Sequence, residues 1–421
     1  MATPGVIIAV AGPVEARVAQ AIDGAPGLRV VRRCADLAEA AAAAAAGVGT
    51  LVVLSDQPHL TRTVLTDLAR LGVAVVGVPT TPDAADQLVL IGVGEVVAPH
   101  AADVEIAAAA QRALERLRAR NAPVQTAERS RAASSETPGA GIIVAVWGPT
   151  GAPGRTTIAA NLAGEFAMGG ASTLLVDADT YGGAIAQACG LTDEAPGLAA
   201  VARAAQHGAL DGGIIDRYAL EVAPRLRVLT GVSRPERWTE LPAAALDEVW
   251  RASCSAAAVT VVDCGFSLEM DEELVYDTRA PQRNGATLSA LGSAHTVVAV
   301  GTAEPLGIQR LVHGLGALRE VVAREPVVVV NRVRAEVAGA KPEEAVADAL
   351  LRFAQVPRTW TVPWDPRACD AAVLSGQLLA ERTPRSRARR AIAAIAASVH
   401  EPADPVAAPR RPRAVAAGVG D

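Results

Sequence analysis

Residues 142–162 read IIVAVWGPTGAPGRTTIAANL. A short run rich in Val and Ile breaks into glycine and proline. Apolar residues then resume at helical spacing, with Ile158, Leu162 and Phe166 on one face. Strand, glycine-rich loop and helix in that order are the pattern of a phosphate-binding P-loop. Small residues let backbone N–H groups converge on an anion, and the helix turns its positive dipole end toward it. Gly151 and Gly154 give the loop its freedom to turn. Thr156, at the start of the helix, is placed for its hydroxyl to reach a phosphate-bound Mg²⁺.

Against G-x-x-x-x-G-K-[ST], Gly154, Arg155 and Thr156 take the last three places and Pro149 the first. Arg155 stands where the phosphate-binding lysine belongs, and the chain's one lysine is Lys341. Arginine binds phosphate with a permanently charged fork that is bulkier and differently aimed than an ammonium. A glycine-rich turn that binds nothing fits the same pattern, so the rest of the chain has to decide.

With 421 residues there is room for two or three domains. Apolar residues make up 51%, much of it alanine, and aromatic residues only 3%. A net charge of −6 gives no global signature of a nucleic-acid binder. Cys34, Cys189, Cys254, Cys264 and Cys369 are scattered, without a C-x-x-C or a histidine at metal spacing, and read as reduced residues of a cytosolic protein. The first residues, MATPGVIIAVAGPVEA, lack the basic region and apolar core of a signal peptide. No segment reads as a transmembrane helix. The expectation is a soluble, cytoplasmic protein.

Residues 1–118 alternate strand and helix patterns. The strands are VIIAVAG (from Val6), LRVVRRC, TLVVLSD (Thr50 to Asp56), VAVVGVP and EVVAP. Five strands and five helices predict a doubly wound parallel sheet, flavodoxin-like. The order resembles a response-regulator receiver domain, with Asp56 at the phosphoacceptor place. The acidic pair such a domain needs is replaced by Gly12 and Pro13, and its lysine by Ala98 and Pro99. A degenerate, docking receiver-like domain is the expectation, with Asp56 as a loop-end or capping residue. Residues 119–140, rich in Ser, Pro, Ala and charge, read as a flexible linker.

Beyond the P-loop, TLLVDADTYGG (Thr173 to Gly183) is a buried strand ending in Asp177 and Asp179. Carboxylates at the C-terminal end of a strand beside a phosphate loop suit water activation and metal coordination. Two turn-forming residues before Gly182 and Gly183 fit as well. RLRVLTG (Arg225 to Gly231) reads as another strand. VTVVDCG (Val259 to Gly265) is an apolar run ending in Asp263, a Walker B element with a candidate Mg²⁺ anchor. HTVVAVG, VVVVNRV and TWTVPWD complete a parallel series. Asn331 closes one strand, where its amide could read an adenine edge or merely bond its own turn.

Together these residues resemble the deviant-Walker-A ATPases of the ParA/MinD superfamily over residues 141–400, a second doubly wound P-loop NTPase domain. The N-terminal fusion, and the run from Asp277 to Leu311, resemble the CpaE/TadZ branch, which localises and helps assemble Flp/Tad pilus machinery. The resemblance implies ATP and Mg²⁺ as cofactors and an ATP-dependent homodimer. It makes Gly151, Ala152, Pro153, Gly154, Arg155, Thr156 and Thr157 the phosphate cradle. Thr156 and Asp263 would serve the metal, Asp179 would position the attacking water, and Asn331, Pro363 and Asp365 would lie near the base. The family's signature lysine is Thr150 here and the ordinary P-loop lysine is Arg155. With both ammonium groups gone, binding should survive better than hydrolysis. Arg279 and Arg283 are guesses for a compensating cation.

The segment PRSRARRAIAAIAASV (Pro384 to Val399) forms a helix pattern with Ile392 and Ile395 on one face. MinD proteins end in a membrane-binding amphipathic helix. This one is mostly alanine on its apolar face, so packing on the domain is preferred, with at most peripheral membrane association through partners. Residues 401–421 read as a disordered tail. The leading expectation is a weak, positioning or regulatory ATPase serving a pilus, secretion or division apparatus. A non-hydrolysing nucleotide-bound scaffold is the alternative. DNA partitioning through Arg385, Arg387, Arg389 and Arg390, and a metabolic P-loop ligase, have less behind them. No specific nucleic acid is expected as a partner.

Overall fold

The structure, a computed structural model, describes residues 4–57, 60–121, 141–191, 196–270 and 282–400. Most of the linker, the tail from residue 401 and Arg279 lie outside the described residues.

In the first part, β1 (Gly5–Ala9), α1 (Val14–Asp23), β2 (Arg29–Arg33), α2 (Leu37–Ala45) and β3 (Leu51–Leu54) alternate in turn. They are followed by α3 (Arg62–Arg70), β4 (Ala74–Gly77), α4 (Pro82–Leu90), β5 (Glu95–Val96) and α5 (Asp103–Asn121). The sheet order is β2-β1-β3-β4-β5 and every pair is parallel. The central strands are buried on both faces, which is why their sequences are unbroken apolar runs. Val6 and Ile8 pack with α1 and α5, while Ile7 and Ala9 pack with α2, α3 and α4. Helix starts follow local chemistry: the Asp36 carboxylate accepts from Glu39 N–H, and the Thr81 hydroxyl from Ala84 N–H ahead of Pro82.

The second sheet begins with β6 (Ile142–Trp147), α6 (Arg155–Met168) and β7 (Thr173–Ala178). Then come α7 (Ile185–Ala188), α8 (Gly197–Gln206), α9 (Gly212–Tyr218), β8 (Leu220–Ala223), β9 (Leu226–Leu229), α10 (Ala243–Ala256) and β10 (Val259–Cys264). It continues through α11 (Gly285–Ser293), β11 (Thr296–Thr302), α12 (Pro305–Val321), β12 (Val327–Val333), α13 (Ala335–Ala338) and α14 (Pro342–Ala354). It closes with β13 (Thr359–Pro363), α15 (Pro366–Ser375), α16 (Leu379–Arg382) and α17 (Arg387–His400).

The strand order is β13-β12-β11-β6-β10-β7-β9-β8. All pairs are parallel except β8 with β9. That edge strand departs from the all-parallel expectation. It is short and half-exposed, and it turns back through Pro224 and Arg225, the latter at φ +65°. Alternate residues of β6 serve opposite layers: Ile143, Ala145 and Trp147 join α8, α10, α11 and α12, whereas Val144 and Val146 join α6, α15 and α17. Because β10 lies between β6 and β7, the loops after β6, β7 and β10 open into one crevice at the strand ends.

The two sheets meet through helices. Arg62 of α3 pairs with Glu248 of α10, and the Gln87 amide donates to the His207 carbonyl after α8. The C-terminal helix is docked: Ile392 and Ile395 are buried in the α6 layer, and Arg389 makes a two-pronged ion pair with Glu165 at 2.6 and 2.8 Å. Among the described residues no helix is long and apolar enough to cross a membrane.

Candidate functional site

The loop between β6 and α6 turns on glycines that nothing else replaces. Gly151 and Gly154 have φ of +67° and +99°, in the left-handed region. A Cβ on Gly148 would lie 2.3 Å from the Val300 carbonyl oxygen. Ala152 N–H bonds the Pro149 carbonyl at 3.1 Å, which closes the turn. Helix α6 starts at Arg155, so Thr156 and Thr157 sit in its first turn, where N–H groups are unpaired along the axis. Thr157 gives its carbonyl to the Asn161 amide at 2.8 Å.

Arg155 does not reach out into the loop. Its Nη1 donates to the Gly148 carbonyl at 3.0 Å and its Nη2 to the Asp179 carboxylate at 3.2 Å, while Nε is buried without a partner. Asp179 also accepts from Tyr181 N–H at 2.9 Å and Gly182 N–H at 3.3 Å. The residue in the place of the P-loop lysine and the acid assigned to the attacking water therefore lie together, bonded to each other.

Asp177 and Asp179 have separate roles. Asp177 is 2% exposed and accepts from the N–H groups of Asp179 and Ile185, at 3.2 and 3.1 Å. It holds the turn that leaves β7, and Gly183 and Gly231 leave room for its carboxyl. Burial pushes its pKa up to about 7.

Asp263, at the end of β10 beside Asp177, is 1% exposed, and neither carboxylate oxygen has a hydrogen-bond partner among the described residues. Burial, then the Asp177 charge, raise its pKa well above the usual carboxylate range; the nearby Thr156 hydroxyl and Arg155 only partly oppose them. An orphaned buried carboxylate is expensive unless something completes it. A hydrated divalent cation between Asp263 and Thr156 would do so, and a glycine-walled anion cradle beside it fits a phosphate chain. The residues present fit Mg²⁺ and a nucleotide phosphate.

Asn331, within β12 two residues before its end, donates from Nδ2 to the Pro153 carbonyl at 3.2 Å, and its Oδ1 accepts from Arg332 N–H at 2.9 Å. A Cβ on Gly154 would meet that Nδ2 at 2.1 Å. The amide is thus a brace on the phosphate loop. Pro363 closes β13 in register with Val333, and Asp365 caps α15 by accepting from Ala368 N–H at 3.3 Å. Between them Trp364, 41% exposed, lies under the Arg332 guanidinium at 4.6 Å.

Arg283, offered from the sequence as a compensating cation, is engaged beside Tyr181. It stacks on the Tyr181 ring at 4.4 Å and donates to the Thr180 and Pro235 carbonyls at 3.1 and 2.8 Å. A second arginine beside the loop, Arg310 of α12, has its Nη1 2.0 Å from where a Cβ on Gly151 would lie. Sequence reasoning missed it because no motif links a mid-helix arginine to a distant loop. In the first sheet, Asp56 accepts from the Thr80 N–H and hydroxyl at 2.9 to 3.0 Å. Among the described residues no three metal-ligating side chains gather there or elsewhere.

The family model described as CobQ/CobB/MinD/ParA nucleotide binding domain matches residues 144–374. A ParA family ATPase from Chlorobium tepidum TLS is similar in structure, at 17% identity and TM-score 0.51, over 62% of this chain and 100% of that one. The cell division ATPase MinD of Pyrococcus furiosus matches at 20% identity and TM-score 0.48, over 62% and 98% of the two chains. The septum site-determining protein MinD of Pyrococcus horikoshii OT3, complexed with Mg-ADP, matches at 20% identity and TM-score 0.48, over 62% and 96%. At 17% identity the likeness to the Chlorobium tepidum ATPase speaks for the fold alone. No curated protein matches the chain.

Proposed function

With the match spanning more than half of its length, the chain belongs to the CobQ/CobB/MinD/ParA nucleotide-binding family, and we propose that it binds Mg²⁺-ATP, dimerises around it and acts as a positioning or regulatory switch. The observation that carries this reading is Asp263: a carboxylate 1% exposed, with both oxygens unpartnered, opposite Thr156 at the mouth of a glycine-walled loop. Bound Mg²⁺ would neutralise phosphate charge there. The chain's own residues do the rest. The loop and the first turn of α6, Gly151 to Thr157, would cradle the phosphates, with the N–H groups of Gly154, Arg155, Thr156 and Thr157 toward them. Thr156 and Asp263 hold the metal and its water. Asn331 braces the loop, with Pro363 and Asp365 beside the base.

Turnover should be slow. Asp179, the residue placed to orient water, is bonded to Arg155, and the loop has no lysine. That pairing favours the second reading as well, a nucleotide-bound scaffold that switches without hydrolysis. The target we propose is a cell-envelope apparatus of the Flp/Tad pilus, secretion or division kind. It rests on the resemblance of the fused N-terminal sheet to a docking receiver. The N-terminal unit 1–118, linker 119–140, ATPase unit 141–400 and tail 401–421 are the proposed divisions.

The experiment is a fluorescent-ATP titration of the full chain with Mg²⁺, with light scattering for mass and phosphate release for turnover. Tight binding that doubles the mass and is lost in Asp263→Asn supports the switch. Binding with doubling but no phosphate release makes it the scaffold. No binding sinks the nucleotide reading.

A further inference from the structure

Helix α12 is drawn tightly against the phosphate loop by glycines. A Cβ on Gly301 would sit 2.5 Å from Leu311, and one on Gly307 would sit 2.0 Å from the Thr302 hydroxyl, so helix and β11 approach as closely as backbones allow. Further along, a Cβ on Gly314 would lie 3.0 Å from Pro149 and 3.1 Å from Trp147. Leu311, Leu315 and Leu318 are fully buried beneath the helix and fix its rotation. Arg310 and Gly314 are four residues apart and share one face. With Gly314 seated on Pro149 at the loop's first turn, Arg310 is laid over Gly151, filling the place a side chain there would occupy.

Two guanidinium groups therefore border the loop, in different states. Arg155 is committed to the Gly148 carbonyl and the Asp179 carboxylate. Arg310 is exposed, and among the described residues no hydrogen bond or ion pair engages it. An exposed arginine without a carboxylate, its guanidinium laid over Gly151 of the loop, has the charge and the fork to take a phosphate oxygen pair.

We propose that Arg310 is the phosphate-binding cation of this loop, supplied from α12 of the same chain in place of a lysine within the motif. The proposal rests on the nucleotide reading above and adds a residue to it. It also accounts for Gly151 beyond its backbone angle: a side chain there would displace the guanidinium.

The test compares the full-length protein with Arg310→Ala and Arg310→Lys, titrated with fluorescent ATP in Mg²⁺ and competed with inorganic triphosphate. Arg310→Ala should weaken both ATP and triphosphate by roughly tenfold, the loss expected for one charge-assisted contact. Arg310→Lys should recover most of that loss, since it restores charge without the fork. The melting temperature without nucleotide should not move, because the side chain is exposed and unpaired. Wild-type affinity in Arg310→Ala would overturn the proposal. So would a loss of ATP affinity in Arg310→Ala accompanied by a lowered melting temperature without nucleotide, which would make the arginine a packing residue. If the wild-type chain binds neither probe, the nucleotide reading itself fails, an outcome distinct from the other two.

Discussion

The Arg155 guanidinium lies 3.2 Å from the Asp179 carboxylate, so the loop's own cation and the strand-end acid neutralise each other. Both side chains are largely buried, and Asp179 takes two further N–H groups from its own turn. An arginine held in this way must leave a partner before it can grip phosphate. Under the proposed function, the pair would set a threshold for nucleotide binding and tie up the acid proposed to orient water.

Asp179→Asn should therefore separate binding from turnover. The amide oxygen can still accept the turn's N–H groups, while the attraction for Arg155 falls. Arg155, left without its buried partner, gains from a phosphate what it loses in the variant, so ATP should bind at least several-fold tighter. Phosphate release should vanish. A weaker ATP complex in this variant would mean that Asp179 aims Arg155 at the phosphate instead of holding it away.

Asp263 and Asp177 make stability depend on pH in an unusual direction. Their folded pKa values are raised by burial, that of Asp177 from 3.8 to about 7. A raised carboxylate pKa means the folded state holds its proton more tightly than the unfolded one. For Asp177 that stabilisation is fully present below pH 3.8 and is lost as pH rises through about 7; Asp263 acts in the same direction. Without nucleotide or Mg²⁺, these groups should lower the melting temperature between about pH 5 and pH 8. Asp263→Asn should stabilise the nucleotide-free protein at alkaline pH by about 1–3 kcal/mol, because it removes a buried carboxyl that the neighbouring Asp177 repels. Thermal melts across that range, with and without Mg²⁺-ATP, check it; a variant less stable than wild type at pH 8 would show that the carboxylate is satisfied by something else.

What the sequence revealed and what it hid follow from distance along the chain. The P-loop turn, the strand ending in Asp179 and the strand ending in Asp263 are local patterns of hydrophobic run and terminal polar residue, and each lies where those patterns put it. The alternation before residue 119 was legible for the same reason, since each central strand is an unbroken apolar run. Strand β8 was not, because an edge strand half-exposed on both faces carries no period. The pairing of Arg155 with Asp179, the brace from Asn331 to Pro153 and the reach of Arg310 to Gly151 are all tertiary. They depend on strand order, which no local pattern encodes.

Asn331 offers a test of base reading against bracing. Its amide is bonded to the Pro153 carbonyl and to Arg332 N–H. Asn331→Ala should cost about 1–2 kcal/mol of stability through the orphaned Pro153 carbonyl. It should weaken ATP and GTP alike, since a loosened loop serves every phosphate equally. Titration of both nucleotides decides: a variant that loses preference for ATP over GTP while keeping its melting temperature would return the amide to the base.

The C-terminal helix gives the last prediction. An amphipathic helix that anchors to lipid must present its apolar face, and in this chain that face is spent. Ile392 and Ile395 are 1% and 0% exposed against α6 and its neighbours, and Arg389 is clamped to Glu165, itself 7% exposed on its side chain. Undocking would expose both isoleucines and break a largely buried ion pair, and the alanine that fills the rest of the face returns little on insertion. Full-length protein should therefore not sediment with anionic vesicles, with or without nucleotide. Ile395→Ala should lower stability by about 3 kcal/mol, as a truncation in a packed core does. Vesicle binding by the wild type that is abolished by Ile395→Ala, with its melting temperature unchanged, would mean that the helix leaves the domain and uses this face on the membrane.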